Sequence, residues 1–371
     1  MTTWNTIQED NVTGSYGLAA DETMARRVGL GTSAATLRLY TYGPCALVGR
    51  FQTVENEIHV EACQKNNIPI NRRPTGGGAI VMGDGPLGVA LTLPGTGQDT
   101  YNRAREMMAR FSQGVVRGLA SLGVEASFRG KNDIEVGGRK IAGLGIYRDG
   151  SSGLLFHCSL LVHLDMEMML TYLNTPFEKI SDKAIAAMES RLTTVVRETG
   201  RPVTLEEARQ ALAQGYAQTF GVSLNPATFT PSELSDIHVL ETNKYNTRDW
   251  VYQQADVPDA MGSAKLKTAQ GLLDVRVTLA GQTIKAAYVG GDFFAAESAV
   301  ADLEGHLKWH STQPEAIKAT LEKVFAKRRD ELAGLPLEPL ADTLALAIRQ
   351  AAEMDAQDAA LYNAYTAAQA G

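Results

Sequence analysis

The chain reads as an α+β protein: a mixed-sheet domain with helices, followed by a small C-terminal α+β domain. Three observations predict this. Short β-branched runs punctuated by Gly and Pro recur between residues 36 and 162, amphipathic helical stripes interrupt or follow them, and the same mixture resumes after a polar break near 225. A length of 371 residues leaves room for two domains at roughly 100–200 residues each.

The elements follow in order. Residues 36–49, TLRLYTYGPCALVG, alternate apolar and polar around a Gly-Pro break, which predicts two strands and a turn. A short helix is expected over 56–66, then strands in IPINRRP, TGGGAIVMGDG and PLGVALTLP with glycine-rich connections. Met107, Met108, Phe111, Val115, Leu119 and Leu122 fall at helical spacing and predict a long amphipathic helix over 102–122. NDIEVGG, RKIAGLGIYR and LLFHCSLLVHL give a second set of strands, with Gly137-Gly138 supplying the positive φ angles of a tight hairpin. Helices follow at 165–173 and 204–219, the second opened by Thr204-Leu-Glu-Glu207, a capping-box pattern.

From these signals the catalytic-size domain is expected over 1–225, a linker over 226–262, a small accessory domain over 263–330 and a helical tail over 331–371. In the small domain GLLDVRVTLAGQTIKAAYVGGDFF predicts a hairpin around Ala280-Gly281, and helices are expected at 297–308 and 314–328, the latter with Pro314 in its first turn. In the tail, Leu340, Leu344, Ala347, Ala351 and Met354 share one helical stripe, the signature of a helix docked on a body or a partner.

Composition excludes several function classes. A net charge of −7 gives no general attraction to nucleic acid, and no run of 18 uncharged apolar residues offers a membrane span. Cys45, Cys63 and Cys158 form no CxxC or zinc spacing, so a reducing, cytoplasmic setting is expected.

Chemistry concentrates in three clusters. In Arg72-Arg73-Pro74-Thr75-Gly76-Gly77-Gly78-Ala79-Ile80-Val81, successive glycines let backbone amides approach an anion while the arginines add charge; a glycine-rich hairpin bend is the plain alternative. It is neither a P-loop, since no GKS or GKT follows, nor a dinucleotide fingerprint. The second cluster carries Asn132, Asp133, Arg139 and Lys140: hard oxygens for Mg²⁺ and a lysine for a phosphate or carboxylate, or, taken singly, a solvated sheet edge. The third, Phe156-His157-Cys158-Ser159, offers a thiol beside an imidazole, but neighbours on a strand point to opposite faces.

In this order and spacing the clusters resemble the lipoate-protein ligase A family of the biotin/lipoate ligase superfamily. The matching segments stand at 72–79, 130–134, 138–143 and 157–161, and the likeness continues through Tyr172-Leu-Asn174, Ser190-Arg191-Leu-Thr193 and Gly291-Asp292-Phe293-Phe294. The resemblance implies a biotin/lipoate ligase-like mixed sheet and an ATP-dependent ligase: ATP and lipoate give lipoyl-adenylate, and a lysine of an acceptor lipoyl domain then takes the lipoyl group. Carried over by position, Lys140 would be catalytic, bridging carboxylate and α-phosphate. Arg73, Gly78, Ala79, Ile80, Val81, Asn132 and Asp133 would contact ATP or the adenylate. Arg72, Gly76, Gly77 and His157 would join Lys140 around lipoate, and Asp133 would hold Mg²⁺. The acceptor would be a 2-oxoacid dehydrogenase E2 domain, a glycine cleavage H protein or a lipoate-binding protein, steered by local cations such as Arg72, Arg129, Arg139 and Arg148.

Departures touch substrate preference: Met82-Gly83-Asp84 stands where the family often has His-Asp, Gly143-Leu-Gly145-Ile-Tyr-Arg148 replaces Gly-Ser-Ala-x-Arg, and Cys158 replaces a glycine. The rival reading is an ATP-independent octanoyl or lipoyl transferase of the same superfamily working through a cysteine thioester. There the cysteine lies just before the Asn-Asp position or near the end of the core, and Ala126-Ser127-Phe128-Arg129 has none. An inactive module that only binds lipoyl domains is a further alternative. Biotin ligation lacks its Gly-Arg-Gly-Arg loop.

Overall fold

The structure, a computed structural model, describes residues 2–95, 100–129, 132–174, 182–253 and 262–369. The strands are β1 (Thr2–Val12), β2 (Thr36–Tyr42), β3 (Cys45–Val48), β4 (Ile70–Arg72), β5 (Ile80–Met82), β6 (Pro86–Pro94), β7 (Ser127–Arg129), β8 (Asp133–Val136), β9 (Arg139–Arg148), β10 (Gly153–Leu161), β11 (Val222–Pro226), β12 (Gly262–Thr268), β13 (Gly271–Ala280), β14 (Thr283–Gly291) and β15 (His310–Ser311). The helices are α1 (Gly14–Gly29), α2 (Val54–Glu57), α3 (Val60–Lys65), α4 (Ala104–Ser121), α5 (Met166–Tyr172), α6 (Asp182–Glu189), α7 (Val195–Thr199), α8 (Leu205–Phe220), α9 (Pro231–Leu240), α10 (Arg248–Tyr252), α11 (Glu297–Leu307), α12 (Pro314–Lys327) and α13 (Leu337–Gln369), with a π-helical turn at Glu241–Tyr245.

Two compact units result, Met1–Tyr252 and Gln253–Gly371. In the first, an eight-stranded mixed sheet runs β11-β1-β2-β6-β10-β9-β8-β7, and a three-stranded sheet runs β4-β3-β5. Strand alternation splits the large sheet into two buried faces. Leu39, Val89, Leu91, Leu144, Phe156 and Cys158 pack with Phe111 and Val115 of α4 and Leu212 and Tyr216 of α8. On the other face Tyr40, Ala90 and Leu155 pack with Leu18, Ala19 and Met24 of α1. The Gly137-Gly138 hairpin forms as expected, both residues at positive φ.

The expected boundary near 225 is corrected. Residues 226–252 are not a linker but belong to the first unit, because α9 and the π-helical turn bury Ile237 and Tyr245 against α1. α9 has the reciprocal capping box, Thr230 with Glu233 and Pro231 in the first turn; at α8 only the Thr204 half forms, since Glu207 turns to Arg201. Residues 254–261 of the expected linker, and Gly130 and Lys131 of the second cluster, lie outside the described residues.

In the second unit β12-β13-β14-β15 form one sheet. The tail is not separate from it: α13 lies along β12 and β13, burying Leu340, Leu344, Ala347 and Ala351, while Met354 turns out to solvent at 51% exposure. Among the described residues no helix is long and apolar enough to cross a membrane.

Candidate active site

Register alone sets out the site. Across the α1-facing side of the large sheet, Tyr40 of β2 lies opposite Gly88 of β6, Gly88 opposite Ser159 of β10, Ser159 opposite Gly143 of β9, and Gly143 opposite Asp133 of β8. The neighbouring row reads Arg38, Ala90, His157, Gly145. Glycines and an alanine therefore lie between larger residues whose side chains cover them, the Tyr40 ring over Gly88 and the His157 ring over Gly145, and this part of the sheet borders an open space. It is part of a cavity of about 100 Å³ lined by Leu18, Tyr40, Tyr42, Leu47, Ile80, Met82 and Cys158 and by the polar groups Arg73, Asn132, Lys140, His157 and Ser159.

Lys140 reaches this cavity through a bulge. Between Ile134 and Glu135 the β8–β9 register shifts, so Ala142 faces Ile134 while Lys140 faces Glu135. Residues three apart on a regular strand point to opposite sides; the extra residue lets the Lys140 ammonium lie over Gly143, 3.0 Å from where a Cβ there would sit. Its main chain is held by the segment after α6: Lys140 N–H donates to Arg191 O, and Thr193 N–H donates to Lys140 O. The ammonium pairs with Asp133 at 2.7 Å, both side chains about one-third exposed. Asn132 is fixed at the rim by donating Nδ2–H to Leu144 O.

The glycine loop lines the same cavity as Lys140 through Gly78, Ala79 and Ile80. Arg73 is buried, and its guanidinium donates to the carbonyls of Leu47, Gly76 and Gly78. Among the described residues no carboxylate pairs with it, and burial pushes its pKa down to about 10. A buried cation satisfied only by carbonyl dipoles is a place where an anion is stabilised. Gly78 is exposed, and a Cβ there would meet nothing within 4 Å; Gly49, by contrast, must be glycine because a Cβ would lie 2.0 Å from Gly77 O. His157 bonds Thr75 Oγ1 at 2.9 Å, and burial together with the Arg73 charge lowers its pKa to about 3, so it sits here as a neutral ring.

The floor is a polar network that the sequence reading missed. Asp21, buried on α1, accepts from Arg38 Nη1–H at 2.8 Å and from the Tyr40 hydroxyl at 2.7 Å, and the Arg38 guanidinium lies 3.8 Å from the Tyr40 ring centroid. Burial raises the pKa values of both Tyr40 and Tyr42, which stay neutral phenols. The signal was present in TLRLYTY, whose Arg38, Tyr40 and Tyr42 alternate with Leu37 and Leu39 on one strand. Ser159, on the same face, was also missed.

The structure thus brings Arg73, Gly78, Ala79, Ile80, Asn132, Lys140 and His157 to one cavity, with Asp133 bonded to Lys140. It does not bring all the expected residues. Arg72 is fully buried and turned away: it donates to the carbonyls of Gly49, Arg50, Gln52, Trp250 and Val251, so it neither lines the cavity nor adds surface charge. Gly76 and Gly77 stand behind the lining, their carbonyls spent on Arg73 and packed at Gly49. Val81 pairs with Ala46 and packs into the small-sheet core with Val48 and Tyr172.

All three thiols are buried. Burial pushes Cys45 and Cys158 up to about 12 and Cys63 to about 11. Cys158 alternates away from His157 and packs with Phe156 and Tyr216 on the α4/α8 side.

A cavity with apolar walls that also carries a buried arginine and a lysine defines a class, proteins that bind a partly apolar anion. The chain belongs to the lipoyl protein ligase A/B catalytic domain family, whose model matches residues 13–217. It is an enzyme of the lipoate ligase and transferase family. Octanoyltransferase LipM of Symbiobacterium thermophilum is 30% identical over 278 residues, covering 67% of this chain and 98% of its own. Lipoate-protein ligase A subunit 1 of Thermoplasma acidophilum is 31% identical over 244 residues, 63% of this chain and 90% of its own. Among solved structures, the bipartite lipoate protein ligase of T. acidophilum superposes with a TM-score of 0.61 at 27% identity, over 68% of this chain and 97% of that one. A lipoate-protein ligase A bound with ATP gives 0.59 at 27%, over 68% and 99%. The fold likeness to P. falciparum LipL1, TM-score 0.66 at 18% identity, spans 86% of this chain and 94% of that one.

Proposed function

We propose that the chain is an ATP-dependent lipoate-protein ligase. One observation carries the reading: Arg73 and Lys140 line one cavity together with the apolar side chains of Leu18, Leu47, Ile80 and Met82, and the Cys158 that also borders it packs in the α4/α8 core with its thiol pushed up to about 12. In the first step a lipoate carboxylate oxygen attacks the α-phosphorus of ATP; the bond to the bridging oxygen breaks and pyrophosphate leaves with its electron pair. Lys140 neutralises the carboxylate and the α-phosphate together, while Arg73 and the amides of Gly78 and Ala79 bear the phosphate charge. Neutral His157 adds no competing charge beside Arg73. In the second step the amine of an acceptor lysine attacks the acyl carbonyl, loses a proton, and AMP departs.

Mg²⁺ fits as an ion carried by the nucleotide phosphates, with Asp133 and Asn132 as oxygen donors, where it would screen the triphosphate. Among the described residues no cluster of three or more acidic, His or Cys side chains offers it a resident site. The acceptor is proposed to be a lipoyl domain, as the T. acidophilum ligase was studied with its E2 lipoyl domain.

The second reading, a thioester-forming transferase, is favoured by the octanoyltransferase relative at 30% identity. Against it stand the burial of Cys158, which packs in the α4/α8 core, and the absence of a cysteine from Ala126-Ser127-Phe128-Arg129, just before the Asn-Asp position. Pyrophosphate release from ATP and lipoate, retained in Cys158→Ala and lost in Lys140→Ala, supports the ligase; acyl transfer without ATP, lost in Cys158→Ala, overturns it.

A further inference from the structure

Arg72 has no place in the cavity, yet it is the most connected side chain near it. Its Nη1 donates to three carbonyls of the turn after β3, those of Gly49 at 2.8 Å, Arg50 at 3.0 Å and Gln52 at 2.6 Å. Its Nε donates to Trp250 O at 3.1 Å and Val251 O at 3.0 Å. Trp250 closes the loop, its Nε1–H donating back to Arg72 O at 2.8 Å. The turn in question is the support of the glycine loop: Arg50 N–H donates to Thr75 O at 2.8 Å, and Gly77 O packs on Gly49. The Arg50 guanidinium also lies 4.8 Å from the Trp250 ring centroid.

We propose that Trp250 is a positioning residue for the anion-binding loop, holding residues 75–79 in shape from outside the cavity through Arg72 and the 49–52 turn. The inference rests on the ligase reading only for what the loop binds; the mechanical link stands on its own. Two features single out Trp250 from ordinary packing. The bonds run both ways between α10 and β4, which fixes register as well as distance. The residues just before α10 carry a second set of bonds, Lys244 on Glu22 at 2.8 Å and the Tyr245 hydroxyl on Glu22 of α1. They also touch the first set, since Asn71 Nδ2–H donates to Tyr245 O at 3.2 Å, the Tyr245 ring packs edge-on against Trp250 at 5.8 Å and the Lys244 ammonium lies 4.0 Å from the Trp250 ring centroid. The chain segment 244–252 is therefore bonded both to α1 and to β4, and the Trp250 indole N–H is its side-chain donor to Arg72 O.

The test compares Trp250→Phe, which keeps a ring for Arg50 but removes the donor to Arg72 O, with Tyr245→Phe, which removes the hydroxyl bond to Glu22 and keeps the ring against Trp250. Amide hydrogen exchange is followed in a peptide covering 74–80 of the full chain, alongside KM for ATP, kcat and thermal unfolding. Losing one net hydrogen bond speeds exchange roughly fivefold. The expected result is that Trp250→Phe accelerates exchange over 75–79 by about that factor and raises KM for ATP more than it lowers kcat. Tyr245→Phe is expected to lower the melting temperature while leaving both loop exchange and KM unchanged. Equal exchange in the two variants overturns the proposal. If the wild type releases no pyrophosphate, the ligase reading fails alone, and the exchange comparison still decides the role of Trp250.

Discussion

A single methyl group at Gly78 separates the binding role of the glycine loop from its structural one. The side of Gly78 that a Cβ would occupy is open, and its φ is not in the left-handed region, so Gly78→Ala meets no steric or backbone penalty in the ligand-free protein. Replacing glycine at a compatible position narrows the unfolded ensemble, so ligand-free stability should stay level or rise by up to about 1 kcal/mol, which is roughly 2–4 °C in melting temperature for a domain of this size. The methyl would project at the cavity lining, where the Gly78 and Ala79 main chain must approach phosphate oxygens. Losing one hydrogen bond to a charged group costs about 1.5–3 kcal/mol, or roughly a 10- to 150-fold weaker nucleotide. Gly49→Ala is the contrasting case: its methyl would sit 2.0 Å from Gly77 O, and forcing the two main chains apart should cost about 1–3 kcal/mol without ligand. Thermal unfolding with and without ATP reads both quantities. A Gly78→Ala variant that is destabilised in the absence of ligand, or that takes up ATP like the wild type, would refute the assignment of this loop to anion binding.

Other outcomes follow from the same geometry. Lys140→Met should abolish acyl-adenylate formation, measured by mass spectrometry, while costing under about 1 kcal/mol of stability, because its partner Asp133 and the ammonium are both partly exposed. Cys158→Ala should keep full adenylation and lose stability through lost packing, roughly 1 kcal/mol by denaturant titration, since its thiol faces the core. His157 has a folded pKa of about 3, below the unfolded value near 6.5, so as pH falls through 6.5 the unfolded chain binds a proton that the folded chain refuses. Its share of stability is full above pH 6.5 and drains away toward pH 3, by about 1–2 kcal/mol at pH 5; His157→Gln should flatten that part of the stability profile, and an unaltered slope would contradict the buried neutral ring.

Where the sequence was most legible, local rules and tertiary needs coincide. The strands of the second set, the Gly137-Gly138 hairpin and the helix at 104–121 carry period and turn chemistry in their own residues, and the structure has them where expected. Arg73, Gly78, Asn132, Lys140 and His157, which the resemblance carried over by position, line one cavity. Arg72 could not be separated from Arg73 by pattern: successive residues leave a strand on opposite sides, and which of the two meets the cavity depends on the 49–52 turn and on α10, distant in sequence. The Asp21–Arg38–Tyr40 network was hidden because Asp21 lies on α1, to which the sequence reading assigned no element, and meets Arg38 and Tyr40 of β2 only in the fold, where all three are buried. The boundary at 252 was missed because a π-helical turn has no 3.6-residue period to show.

The most direct measurement incubates the wild-type protein with ATP, Mg²⁺ and lipoate, with no acyl donor protein present, and follows pyrophosphate together with the mass of the nucleotide product. The account predicts stoichiometric pyrophosphate and lipoyl-AMP. Formation of neither, with acyl transfer from a carrier thioester proceeding in the absence of ATP, would contradict it.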